Sequence, residues 1–254
     1  MRTVGIIPAR YASTRLPGKP LKDIGGKPMI QHVYERVQTA TLIDEVIVAT
    51  DDDRIVAAVE AFGGHAQLTA ADHPNGTSRA AEVVAELDVD IVVNIQGDEP
   101  LIKSEMIDEL AQVMHDDPDL ESATLCYQIP EALYPDPNVV KVVWDREGYA
   151  LYFSRSLIPY PRDATNHSAY EHIGIYAYTK EFLLTYIELP ETPLSTTESL
   201  QLNNNPIGDA GVAAVDWSQL AALTSLGLRN TALVDATPLT ALTAPAGLTI
   251  DLDD

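Results

Sequence analysis

The chain has 254 residues, 46% of them apolar, and its 38 acids against 16 lysines and arginines give a formal net charge of −22. That length fits one large α/β domain or two small ones with a sizeable core, and the acidity argues against nucleic acid or an anionic membrane as the general partner, since both would be repelled. The single cysteine, Cys126, excludes an internal disulfide framework and suits a reducing cytosol; with no apolar run near the ~20 residues of a membrane span and no export signal, a soluble cytoplasmic protein is expected.

In chain order, the pattern is a strand-helix rhythm. Short β-rich runs at Thr3–Ile7, Glu45–Thr50 and Asp90–Ile95 alternate with helical stretches at Met29–Ala40, Asp52–Phe62 and Ser78–Leu87. Near-continuous apolar strands such as "DIVVNI" suit a sheet covered on both faces, as parallel βαβ units require. The "TDDDR" run at Thr50–Arg54 supplies an acid or a Thr to cap one helix, and Asn75-Gly76 marks a turn after which Thr77 or Ser78 could cap the next. A helix over Ser104–Met114 leads into a β-rich middle: Ser122–Gln128, then Val139–Asp145 and Tyr149–Ser154, joined by "REG" as a hairpin. A strand at His172–Thr179 and a short helix at Lys180–Ile187 follow.

The composition then changes. From Phe182 onward Arg229 is the only basic residue, and after Leu202 the text is rich in Ala, Leu, Thr and Asn. "LQLNNNPI" and "LTSLGLRNTAL" fit leucine-rich-repeat consensus positions, with a partial copy from Leu248, so residues 201–254 read either as a repeat-like tail or as a poorly ordered one in which the matches arise by chance.

Against the global acidity, the first 30 residues hold six bases (Arg2, Arg10, Arg15, Lys19, Lys22, Lys27) and one acid, Asp23. A strand leading into a loop with Gly, Arg and Lys is a general way to surround phosphate oxygens; the bland alternative is a solvated basic loop. The text "LPGKPL" is not a P-loop, because the first Gly of that motif is missing and Pro20 follows Lys19. A second candidate is "NIQGDEP", where Asp98 ends an apolar strand, the place from which open α/β sheets present ligand groups. An Asp after Gly in a turn is also a common cap.

"IIPARYASTRLPGKPL…GKPMI", "VIVATDD", "ADHPNGTSRAAEV", "IVVNIQGDEPLI", "PNVVKVVWDREGYALYFSRSLIPYPRD" and "HIGIYAY", in that order over residues 1–200, resemble the sugar-activating cytidylyltransferases, those acting on 3-deoxy-manno-octulosonate (Kdo) above all. The resemblance implies a mixed, mostly parallel Rossmann-like sheet of the nucleotide-diphospho-sugar transferase type, helices on both faces, and a β-rich insertion for dimerisation and sugar binding. It implies transfer of CMP from CTP to Kdo with release of pyrophosphate, for lipopolysaccharide synthesis, by a homodimer using Mg²⁺. By the same likeness Pro8, Ala9, Arg10, Ser13, Arg15, Lys19, Gly76, Thr77, Arg79 and Gln96 hold the nucleotide, with Arg10, Lys19 and Asp98 catalytic and Asp98 the metal ligand. Arg155, Arg162, His172, Tyr176 and Glu198 are implied for the sugar acid, although His172 and Tyr176 also read as core packing. A cytidylyltransferase for another acidic sugar, or a CTP-binding homologue of altered activity, remain the alternatives.

Two local departures stand out: Glu171 and Thr179 occupy positions where relatives tend to have basic residues. The tail departs further. After "TESL" the family continues into an Asp-containing segment that supplies a second metal ligand; the nearest matches here nominate Asp235 in "LVDATPLTAL", or Asp216.

Overall fold

The computed structural model describes residues 1–12, 16–162 and 167–190, together with the backbone of 225–227 and 249–251. The chain divides into two compact units, Met1–Asp209 and Ala210–Asp254.

In the first unit, strands β1 (Thr3–Ala9), β4 (Glu45–Thr50), β5 (Ala66–Leu68) and β6 (Ile91–Asn94) form the parallel half of an eight-stranded sheet in the order β5-β4-β1-β6-β10-β8-β9. Strand β10 (Tyr170–Thr179) runs antiparallel beside β6, and carries β7 (Ser122–Gln128) and the edge of β8 (Lys141–Trp144) in antiparallel pairing. The expected mixed, mostly parallel sheet is therefore present. A short ribbon, β2 (Asp23–Ile24) with β3 (Lys27–Pro28), precedes the first helix.

Alternation on the central strands explains why both faces are covered. On β1, Val4 and Ile6 point into one apolar cluster while Ile7 and Ala9 point into the other. Strand β4 repeats this, with Ile47 and Ala49 on one side, Val46 and Val48 on the other. Side chains two apart share a face, so a run apolar at every position has to bury two. One face receives α1 (Met29–Val37), α2 (Asp53–Ala61) and α4 (Ser104–Asp116) through residues such as Val33, Ile55 and Leu110. The other receives α3 (Gly76–Ala85) and α5 (Lys180–Tyr186) through Val83, Val84 and Leu183. Each such side chain contributes about 1.5–3 kcal/mol by leaving water.

Capping fixes where these helices start. Asp52 accepts from the Arg54 N–H at 3.0 Å, as an acid in "TDDDR" should. For α3 the cap is Asn75, whose Oδ1 accepts from the Ser78 N–H at 2.9 Å, rather than Thr77 or Ser78. The hairpin of β8 and β9 (Ala150–Ser154) turns where expected: Asp145 Oδ1 accepts from the Glu147 and Tyr149 N–H groups, and Gly148 takes φ 94°. Its first strand starts at Lys141 rather than Val139, because the Val139 N–H bonds back to the Asp136 carbonyl and closes a turn there.

In the second unit, β11 (Ser225–Gly227) and β12 (Thr249–Asp251) pair in parallel, Ser225 opposite Thr249. The rest of the repeat-like text lies outside the described residues. Among the described residues no helix is long and apolar enough to cross a membrane.

Candidate active site

The strand order places β4 and β5 on one side of β1 and β6 on the other, so the connections leave β1 and β6 in opposite directions. The crevice outside their carboxyl ends is where open α/β sheets take ligands, and the loops after β1 and β6 meet there. Gly97 lets them meet: a Cβ on this residue would stand 2.7 Å from the Pro8 carbonyl oxygen, closer than any side chain tolerates. Gly76, at the start of α3, has Pro8 at 3.2 Å from its would-be Cβ, so a third segment closes on the same proline.

Across this crevice the Lys19 ammonium donates to Asp98 Oδ2 at 2.6 Å. The two residues singled out in separate motifs are thus brought into direct contact. Lys19 is aimed by Gly18, which takes φ 67°, the left-handed region open to glycine, and donates its N–H to the Tyr11 carbonyl at 2.9 Å. Both side chains are more than one third exposed, at 38% and 48%, so the bond is worth at most about 1 kcal/mol and yields readily to a competing anion or cation. Arg10 is exposed and follows directly on β1; Pro8 is half-buried and Ala9 buried at the strand end.

Beneath the crevice, the other nucleotide candidates act partly through a buried network. Thr77 is buried and accepts from the Asn94 amide at 3.3 Å, while Asn94 Oδ1 is buried with no partner among the described residues. The Arg79 guanidinium, also buried, donates to Thr69 Oγ1 and to the Ala70 carbonyl at 3.2 Å, and lies 3.6 Å from Asp51 Oδ2. Arg79 therefore ties the loop after β5 to the end of β4. Sequence reasoning missed Asn94 and Asp51. The first is signalled by a lone amide inside an apolar strand; the second hides among three consecutive aspartates.

On the far side of Asp98, β10 slips register between Ile173 and Tyr176, and Gly174 within this bulge lies against Gln96, whose Cγ is 3.7 Å from the would-be Cβ. Bulges of this kind re-aim side chains next to ligand sites. His172 and Tyr176 are both buried here, their rings 5.3 Å apart, with Phe153 edge-on to His172. The Thr124 hydroxyl donates to the Ile175 carbonyl at 2.8 Å and so accepts from His172 Nε2–H at 3.0 Å, which fixes the tautomer. Burial holds the His172 imidazolium down to about 4, so the ring is neutral at pH 7. Only Nδ1 is left for a substrate. Arg155 donates Nη1 to the Pro137 carbonyl at 2.8 Å, and Arg162 is exposed. Ser13, Arg15, Glu198, Asp216 and Asp235 lie outside the described residues.

A divalent cation fits the donor chemistry at Asp98. Glu99 adjoins it, with its carboxyl raised above the usual range by burial and then by the Asp98 charge, so an added cation would relieve their repulsion. Among the described residues no group of three or more acidic, His or Cys ligands gathers. A small set of carboxylates suits Mg²⁺, which keeps waters and substrate phosphate oxygens as its remaining ligands.

Residues 4–219 match the family model described as cytidylyltransferase. The 3-deoxy-manno-octulosonate cytidylyltransferase of Syntrophotalea carbinolica is 52% identical over 211 residues, 79% of this chain and 84% of that protein. The Escherichia coli protein of the same name is 52% identical over 200 residues, covering 79% and 81%. A CMP:2-keto-3-deoxy-manno-octonic acid synthetase solved in complex with CTP superposes with a TM-score of 0.77 at 51% identity, covering 80% of this chain and 84% of that one. A crevice at the sheet switch point, its opposed Lys19 and Asp98, and these likenesses agree: the chain belongs to the cytidylyltransferase family, among the 3-deoxy-manno-octulosonate cytidylyltransferases.

Proposed function

We propose that the protein transfers CMP from CTP to Kdo. The anomeric hydroxyl oxygen of Kdo forms a bond to the α-phosphorus of CTP, the bond from that phosphorus to the bridging oxygen breaks, and pyrophosphate leaves with the electron pair. The chain's part is positioning and charge compensation, which is most of what phosphoryl-type transfer needs. The loop after β1 holds the triphosphate, with Arg10 and Lys19 against its oxygens, and Ser13 and Arg15 belong to the same nucleotide-binding set by sequence; Gly76, Thr77 and Arg79 shape the base-binding end, and Gln96 serves the nucleotide beside them. Asp98, with Glu99 beside it, would hold Mg²⁺, which supplies positive charge against the phosphate oxygens. Arg155, Arg162, His172, Tyr176 and Glu198 serve the sugar acid.

The observation that carries this reading is the Lys19–Asp98 contact across the crevice at 2.6 Å, a phosphate-type cation and a metal-type carboxylate already side by side. Pyrophosphate release with CTP, Mg²⁺ and a panel of sugar acids tests it. Release is expected with Kdo and to be much weaker with other sugar acids; equal release with a different sugar acid would shift the substrate assignment, and none with any would reject the reaction.

Cytoplasmic supply of an activated sugar for lipopolysaccharide, and a homodimer built on the β-rich middle, belong to the same proposal. Exposed Tyr127, Trp144, Tyr149 and Leu151 on β7, β8, β9 and the intervening turn support the dimer, because such apolar clusters mark association surfaces. For residues 201–254 the repeat-like reading is kept, supported by the parallel pairing of Ser225–Gly227 with Thr249–Asp251.

A further inference from the structure

Lys141 is a buried cation that the reaction above does not use. It sits on β8, opposite Ser154 of β9 and Glu171 of β10, and its side chain is fully buried. Its Nζ donates to three backbone carbonyls: Asp136 at 2.6 Å, Arg155 at 2.9 Å and Val139 at 3.0 Å. The three N–H bonds of an ammonium are thereby all used. None of these bonds goes to a carboxylate. Glu171, its neighbour across the sheet, instead accepts from the Tyr127 hydroxyl at 2.5 Å, and burial lowers the Lys141 ammonium from its ordinary range, opposed by Asp136 and Glu171.

Taking an ammonium out of water is costly, and a Met of similar length would fill the space without that cost. What the Met could not do is join these three carbonyls, two of which belong to the turn at Asp136–Val139 and one to the chain leaving β9. The same turn is gripped a second time: the Arg155 guanidinium donates to the Pro137 carbonyl at 2.8 Å, between the two carbonyls that Lys141 holds. Lys141 thus clamps both the backbone of Arg155 and the turn on which its guanidinium rests.

We propose that Lys141 is a positioning residue for sugar-acid recognition, its ammonium fixing the Arg155 backbone and the 136–139 turn so that the Arg155 guanidinium is presented at one place. This rests on the reading of Arg155 as a contact to the sugar carboxylate. A guanidinium displaced by even 1 Å loses bidentate geometry, and such misplacement can cost up to about 100-fold.

The test is a cycle of Lys141→Met, Arg155→Ala and the double variant in the full chain, with the KM for Kdo, the CTP affinity and the melting temperature measured for each. Expected are a rise of about tenfold or more in the Kdo KM for Lys141→Met, CTP affinity within about twofold, and a double variant no worse for Kdo than Arg155→Ala alone, because one residue acts through the other. A lowered melting temperature with the Kdo KM unchanged would overturn the proposal, as would additive losses in the double variant. If Arg155→Ala leaves the Kdo KM alone, the Arg155 reading itself fails, and that arm shows it separately. Should Lys141→Met not fold, Lys141→Arg keeps the charge but moves the donors; a KM change confined to Kdo supports the clamp, and one shared by CTP refutes it.

Discussion

At the residue scale, the opposed pair Lys19 and Asp98 makes two distinct forecasts. Asp98→Ala should lower turnover by about 10²–10³-fold, the size expected when a group stabilising developing charge is removed, while the melting temperature stays close to wild type because the side chain is exposed. A variant retaining full turnover contradicts the metal role. Lys19→Met should weaken CTP binding yet tighten Mg²⁺ binding in the absence of nucleotide, since the ammonium at 2.6 Å competes for the same carboxylate. Titrating Mg²⁺ alone checks this, and weaker metal binding in the variant would refute the competition. His172 supplies a pH signature. Its imidazole titrates near 6.5 when unfolded but is held down to about 4 by burial in the fold. As pH falls the unfolded chain takes the proton first, so this contribution is intact above about 6.5 and lost toward 4, about 3 kcal/mol in all. His172→Gln should flatten the stability slope across that window; parallel slopes would contradict it. Lys19 and Asp98 were legible because each sits in a dense motif. Asn94, Asp51 and Lys141 were not: their importance lies in partners remote in sequence, such as Thr77, Arg79 and the Arg155 carbonyl.

At the element scale, the site depends on loops pressed together rather than on the strands alone. Gly97→Ala must push the Pro8 backbone away, since its Cβ would stand 2.7 Å from that carbonyl oxygen. Overpacking of this kind costs about 1–3 kcal/mol, and the expected result is a lower melting temperature together with weaker CTP binding; unchanged values for both would show that the loops are not in register here. Strand and helix positions were readable from period-2 and period-3.6 patterns, and the "REG" turn from its glycine. What escaped was the slip of β10 at Ile173–Tyr176 and the short β5, because a bulge and a three-residue strand leave no periodic trace.

On the scale of the whole molecule, the parallel core followed from apolar strands alternating with amphipathic helices, and the two apolar clusters on either side of β1 bear that out. The antiparallel half was less legible, since nothing in a single strand says that β10 will carry β6, β7 and β8. Charge was informative locally rather than globally: of the early bases in this net −22 chain, Lys19 reaches Asp98 at the crevice, while Arg2 pairs with Glu45 and Lys27 with Glu35. CTP affinity should therefore fall as salt is raised.

Calorimetric titration of CTP with Mg²⁺ into the full chain measures most directly whether a nucleotide is gripped at the crevice between Lys19 and Asp98. One CTP per chain is predicted, with affinity that drops in Lys19→Met and needs Asp98 for its magnesium dependence. Absence of binding to the folded protein, or equal binding by both variants, would contradict it.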